Sequence, residues 1–233
     1  MYLDDLPDLS RARLIRASAR GHAIRDGERA VAVAFVADGS LVAADTMVRF
    51  DVTRGEDPTR RLADALAVTG ARGVWFYGGD VTTRRAALGL TLELHPVGSV
   101  YVRRMDAASP RSIAFREPLH RDRISIDELR REHAAAFRAP RVEVAEVGRD
   151  AIGIVFSEAL DGVWTELRIA LHPTYRAKGY GGALLAAAAD RLEAAGRRVC
   201  AAIESNGGRE RSALETAGFR LSDYYFIGTR SRT

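Results

Sequence analysis

One stretch constrains this chain more than any other. Leu167-Arg168-Ile169-Ala170-Leu171 is an apolar, strand-like run that stops at His172-Pro173. Thr174-Tyr175-Arg176-Ala177-Lys178-Gly179-Tyr180-Gly181-Gly182 then turns directly into an Ala/Leu-rich segment with helical character. The first-turn amides of a helix have no intrahelical acceptor, and the helix dipole adds positive potential at the same end. Gly179, Gly181 and Gly182 remove side chains that would hold an anion off the backbone, and Arg176 and Lys178 add fixed charge. The arrangement suits a diphosphate, each charge-assisted contact contributing roughly 1.5–3 kcal/mol. A plainer reading, in which the glycines only let the helix pack tightly on the sheet, stands beside it. A Rossmann fingerprint is excluded, because the third glycine position holds Leu184 and no acid follows about 20 residues on at a strand end. The Gly-Lys-Ser/Thr order of a Walker loop is missing as well.

The 233 residues exceed one typical domain and fall short of two. With 47% hydrophobic residues the chain can bury a core, which argues against disorder. One cysteine, Cys200, excludes an internal disulfide and a Cys-based zinc site, and no metal is expected. The net charge of +4 invites nucleic acid, but acids are interspersed among the bases. Lys178 is the one lysine, so every other basic residue is arginine. The start, MYLDDLPDLS, carries acid where a signal peptide needs positive charge, and no apolar run approaches 18 residues. These features predict a soluble, cytoplasmic protein.

Turn signals divide the remainder. Ser10 caps an expected helix over 11–20, and Ala30–Ala37 and Leu41–Met47 flank Asp38-Gly39 as a hairpin. Asp57-Pro58 opens a helix that Gly70 closes. Val74–Tyr77 reads as a buried strand, Asp80 caps a short helix through Leu88, and Val97–Arg103 reads as a further strand. Residues 106–123 are irregular and form the best linker candidate. The capping-box spacing Ser125-Ile126-Asp127-Glu128 opens a helix to about Phe137. A three-stranded meander follows over Val142–Val147, Ala151–Glu158 and Val163–Leu171. Then come a helix over about Gly179–Ala195, a strand Val199–Ile203, a helix over about Arg209–Ala217 and strand material over Phe219–Gly228. The two halves share this order. Duplication explains it, and an unrelated α+β extension is the alternative.

Arg176-Ala177-Lys178-Gly179-Tyr180-Gly181, with Pro173 three residues before the arginine, resembles the phosphate loop of the GNAT superfamily of acyl-CoA-dependent N-acyltransferases. Ala217-Gly218-Phe219 resembles the Gly-Phe that ends the family's next helix, and the likeness runs from about Ile124 to Arg230. The resemblance implies an α/β (α+β) GNAT fold with a mixed, mostly antiparallel sheet flanked by helices. Its domain would span 116–233, preceded by an α/β half over 1–115 that reads as a degenerate copy. It implies acetyl-CoA (coenzyme A) as co-substrate. A bulged fourth strand would part from the fifth and line the pantetheine arm with Ile169, Ala170 and Leu171. Diphosphate amides would come from Ala177, Lys178, Gly179, Tyr180, Gly181 and Gly182, with Arg176 beside them.

Direct attack on a thioester needs a base to take the amine's proton. Glu166, on the strand entering the groove, is the first candidate and Glu204, ending the next strand, the second. Each is also readable as a solvated carboxylate paired with an arginine. The tyrosine that the family places four residues before Gly-Phe is replaced by Leu214, which leaves the general acid open. Tyr225, with Tyr224 beside it, is a candidate acid, and aromatic packing is its other reading. Asn206 is offset by about one residue from the family's helix-starting asparagine and is expected to cap the helix or touch pantetheine. His172 reads as a loop cap, and Cys200 as a core residue.

The first half carries Asp51, Glu56 and Asp57 over Phe50–Pro58, at the phosphate-loop position, and lacks the G-x-G pair. It is expected to bind no CoA and to wall the acceptor groove or pair sheets, while Trp75, Phe76 and Tyr77 read as core. The whole reads as an N-acetyltransferase for a small-molecule or peptide amine, with no membrane partner, nucleic acid disfavoured and a homodimer open. A catalytically decayed CoA sensor or scaffold is the alternative.

Overall fold

The computed structural model describes residues 20–36, 46–104, 112–122, 141–160, 162–204 and 208–230. The helices expected near Ser10 and over Ser125–Phe137, and the Asp38-Gly39 turn, lie outside the described residues. Two compact units emerge: residues 1–98 with 223–233, and residues 99–222.

In the first unit, β1 (Arg20–Asp26), β2 (Arg29–Val36) and β3 (Thr46–Val52) form an antiparallel meander. Helix α1 (Pro58–Thr69) follows, capped by Asp57, whose carboxylate accepts from the Thr59 amide at 3.0 Å. Gly70 closes it at φ 68°, where a side chain would be strained. Then come β4 (Gly73–Tyr77), α2 (Val81–Gly89), capped by Asp80, and β5 (Glu93–Arg103). The end of the chain returns as β11 (Phe219–Thr229), whose residues 225–229 pair antiparallel with β4. Alternation of buried residues along β2 points Ala32, Ala34 and Val36 into a core shared with Met47, Leu62, Leu66, Val74 and Phe76. Trp75 stacks on Tyr225, with ring centroids 4.6 Å apart. Of the expected second hairpin strand, Leu41–Met47, Thr46 and Met47 fall in β3, and residues 41–45 lie outside the described residues. The strand runs on to Val52 because Asp51, Phe50 and Arg49 continue the ladder against β2. Strand β1 escapes sequence reading: its seven residues include three charges and one buried side chain, Ile24.

The second unit repeats the order. Strand β6 (Ala114–Arg116) pairs with β7 (Arg141–Val147), then β8 (Asp150–Ala159) and β9 (Trp164–Leu171) complete an antiparallel meander. Helix α3 (Tyr180–Ala194), β10 (Arg198–Glu204) and α4 (Gly208–Thr216) follow. The sheet order here is β5-β10-β9-β8-β7-β6. Leu167, Leu184, Leu185, Ala188, Val199, Leu214 and Phe219 build its core beneath α3 and α4. Arg103 of β5, its side chain 1% exposed, clamps α3 by a 2.6 Å ion pair with Asp190 and a 3.0 Å bond to the Ala186 carbonyl.

Candidate functional site

Strand β9 divides its company. Its antiparallel register with β8 runs unshifted from Gly153↔Leu171 to Ala159↔Thr165. With β10 it shares only the parallel rungs Trp164↔Arg198, Thr165↔Val199 and Glu166↔Cys200. Beyond Glu166 the two strands part, and Leu167–Leu171 runs on without β10. The bulge that the resemblance implies for this strand is absent: β8 and β9 keep all seven rungs, and the irregularity falls between Ala145 and Glu146 on β7. Gly153 permits the close approach, since a Cβ there would lie 2.4 Å from the Ala170 carbonyl oxygen.

Ile169, Ala170 and Leu171 are the last residues of β9 and stand where the strands have separated. His172 starts a 3-10 turn over Pro173–Tyr175, its Nδ1 accepting from the Thr174 amide at 3.4 Å. Arg176 is anchored by donating from Nε to the Leu171 carbonyl at 3.1 Å, which fixes the loop's entry. Ala177 adopts φ 58° and Gly179 φ 78°. Arg176, Ala177, Lys178 and Gly179 are exposed, and Lys178 Nζ lies 5.8 Å from the Tyr175 ring centroid. Tyr175 packs edge-on against Tyr180 at 5.4 Å. Burial first, and then the neighbouring Asp150 carboxylate, push the Tyr175 hydroxyl above the usual tyrosine range.

The start of α3 differs in kind from that of α1. No side chain caps it, its first turn holds no acid, and a Cβ on Gly179 would meet nothing within 4 Å. Amides, dipole and open space therefore coincide beside Arg176 and Lys178, and these residues fit a diphosphate. The three glycines have different reasons. Gly179 serves the positive φ, whereas a Cβ on Gly182 would press Thr216 at 2.8 Å, so Gly182 lets α3 and α4 close. A Cβ on Gly181 makes only an ordinary 3.4 Å contact with Ala213.

Glu166 is fully buried, and Arg168 Nε donates to its carboxylate at 3.3 Å. Glu158, half-buried, stands opposite it on β8. Beyond this pair lies an apolar patch of Val144, Ile154, Phe156 and Ala170. Glu204 ends β10, and its side chain is outside the described residues, as is Asn206. Tyr225 is 1% exposed against Trp75 in the first unit, while Tyr224 is 43% exposed. Leu214 is buried in the second unit's core, and Cys200 is buried with its Sγ 3.7 Å from the Thr165 carbonyl. Sequence reading missed Arg168 as the partner of Glu166, although their i, i+2 spacing puts both on one face of a strand. Among the described residues, no helix is long and apolar enough to cross a membrane.

Residues 105–219 match the model of the Acetyltransferase (GNAT) family. No curated protein matches the chain by sequence. Among solved structures, an acetyltransferase from the GNAT family of Colwellia psychrerythraea is similar over 99% of this chain and 93% of that one, with TM-score 0.77 and 12% identity. A tandem GNAT protein from the clavulanic acid biosynthesis pathway is similar over 92% and 84%, with TM-score 0.64 and 14% identity. A GCN5-related N-acetyltransferase from Kribbella flavida is similar over 96% and 95%, with TM-score 0.58 and 11% identity. At these identities the likeness is one of fold, and it extends over both units.

Proposed function

Through its residues 105–219 the chain belongs to the GNAT acetyltransferase family, an acyltransferase by class, and from that premise we propose that it acetylates a primary amine at the expense of acetyl-CoA in the cytoplasm. The observation that carries this reading is the uncapped start of α3 behind Arg176–Gly182, at the end of a strand that has parted from its neighbour. Arg176, Lys178 and the amides from Ala177 to Gly182 would hold the diphosphate. The edge of β9 over Ile169–Leu171 offers backbone groups to an extended, amide-bearing arm. Acetyl-CoA supplies an activated acyl thioester when bound. The chain's part is to present a backbone N–H of β9 to the acyl oxygen and to remove a proton from the amine. We assign the second task to Glu166; its position in the last rung between β9 and β10 and the Arg168 contact to its carboxylate support that reading. A small-molecule or peptide amine attacks directly, without a covalent enzyme species.

Calorimetric titration of the intact protein with acetyl-CoA tests the reading, followed by CoA-thiol release across a panel of amines. Absence of binding would sink it. One observation favours a second reading: the position of the family's tyrosine is filled by Leu214, packed at 3% exposure in the core. A CoA sensor would bind acetyl-CoA and release no thiol with any amine.

A further inference from the structure

The first unit contains a fork of its own. Among the described residues, β3 and β4 share the parallel rungs Thr46↔Gly73 and Met47↔Val74 before they part. At the point of parting, the β2–β3 register slips between Phe35 and Val36, so that Val48 is an extra residue on β3. Between the separated strands lies a cavity of about 460 Å³, bounded by Val48–Val52, by Trp75–Tyr77 and by Gly79–Thr82 at the start of α2. That volume falls in the range of small-ligand sites. The outer edge of β3 is used by β2 and that of β4 by β11, so the two inner edges face the cavity. Two strand edges flanking a cleft can hydrogen-bond an extended chain laid between them.

Charge narrows the occupant. The nearest helix start in this fold position, that of α1, is already filled by the Asp57 carboxylate, and Pro58 has no amide hydrogen to offer. Arg49 at the cavity is paired with Asp51 at 2.6 Å. Asp80 lines the cavity too, and Asp223 sits against its rim, accepting from the Gly79 amide at 2.6 Å. The surplus is acidic, which repels phosphate and attracts cations. At the last rung before the fork stands Met47, fully buried, where the second unit has Glu166. The cleft therefore lacks the buried carboxylate that the second unit has at its fork.

We propose that this cleft is a second binding site, taking an extended peptide segment with basic side chains rather than coenzyme A. The proposal does not depend on the acetyltransferase reading. Its test titrates the full chain with an acetylated, amidated hexapeptide of alternating lysine and valine, read by Trp75 fluorescence in a Trp164→Phe variant. Calorimetry on the unmodified protein replaces fluorescence if that variant unfolds. A saturable response is expected, with at least fivefold weaker binding after combined Asp51→Asn and Asp80→Asn, the asparagine retaining an oxygen for the α2 cap. The corresponding glutamate–valine peptide should give no response. The proposal is overturned by absence of saturable binding, by equal binding of the acidic peptide, or by a saturable Trp75 response to acetyl-CoA in a Gly181→Asp background. Loss of acetyl-CoA binding by the unmodified protein would instead count against the acetyltransferase reading alone.

Discussion

Glu166 of β9 lies in the last rung that its strand shares with Cys200 of β10, so a fully buried carboxylate stands where the sheet forks. If it takes the amine's proton, Glu166→Gln keeps the volume and removes the base. CoA-thiol release should then fall about 100-fold or more, with acetyl-CoA affinity unchanged by calorimetry. A loss below tenfold would leave Glu166 a structural partner of Arg168.

The glycines of the proposed phosphate loop should separate under substitution. Gly181→Asp places a carboxylate in the cradle, and acetyl-CoA binding should disappear while the unfolding midpoint barely moves. Gly182→Ala should instead cost about 1–3 kcal/mol, because its Cβ presses Thr216 at 2.8 Å. Urea titrations alongside calorimetry would distinguish the two, and a destabilised Gly181→Asp protein would contradict the assignment.

Ala177, at φ 58°, is one of two described non-glycine residues in the left-handed region, the other being Thr91 at φ 54°. The left-handed region costs a residue with a Cβ about 1–2 kcal/mol. Glycine relieves that strain but has a more flexible unfolded chain, an offset of about 0.4–1 kcal/mol. Ala177→Gly should thus stabilise the protein by roughly 0.5–1 kcal/mol in urea unfolding, and a destabilised variant would refute the strain.

Acid should loosen the first unit at a nameable place. The Arg61 side chain, 7% exposed, binds Asp26 at 2.7 Å, Glu56 at 2.8 Å and Asp64 at 3.1 Å. Hydrogen bonding from Arg61, then its charge, hold the Asp26 carboxyl below its usual value of 3.8. A depressed folded pKa means that the stabilisation is complete above the unfolded pKa and is lost as pH falls through the folded one. Asp26→Asn should melt below the unmodified protein at pH 7, and the gap should close below about pH 4. A gap constant across that range would show that the pair contributes nothing through charge.

Elements marked by a carboxylate cap or a closing glycine were readable from the chain: Asp57 and Gly70 bound α1, Asp80 opens α2, and Gly179 precedes α3. The loop proposed to hold the diphosphate was equally plain, since its glycines and cations are contiguous. Strand β1 was not, because Arg20, Arg25 and Asp26 mask its alternation, and its place depends on pairing with β2. That β9 parts from β10 ahead of Ile169–Leu171 was expected from the family resemblance alone, and the last shared rung, Glu166↔Cys200, was not. Where two strands part depends on the length of their shared ladder, which no local residue pattern encodes. The same holds for the first unit's cleft, whose aromatic wall at Trp75–Tyr77 reads as ordinary core until β3 is seen to leave it.

The contrast between the two helix starts carries one more consequence. At α1 a side chain of the protein itself occupies the seat that α3 leaves vacant, so Asp57 works as a built-in plug. With that seat taken, the start of α1 has no free cradle for an anion, which agrees with a cationic segment as the proposed occupant of the first unit's cleft.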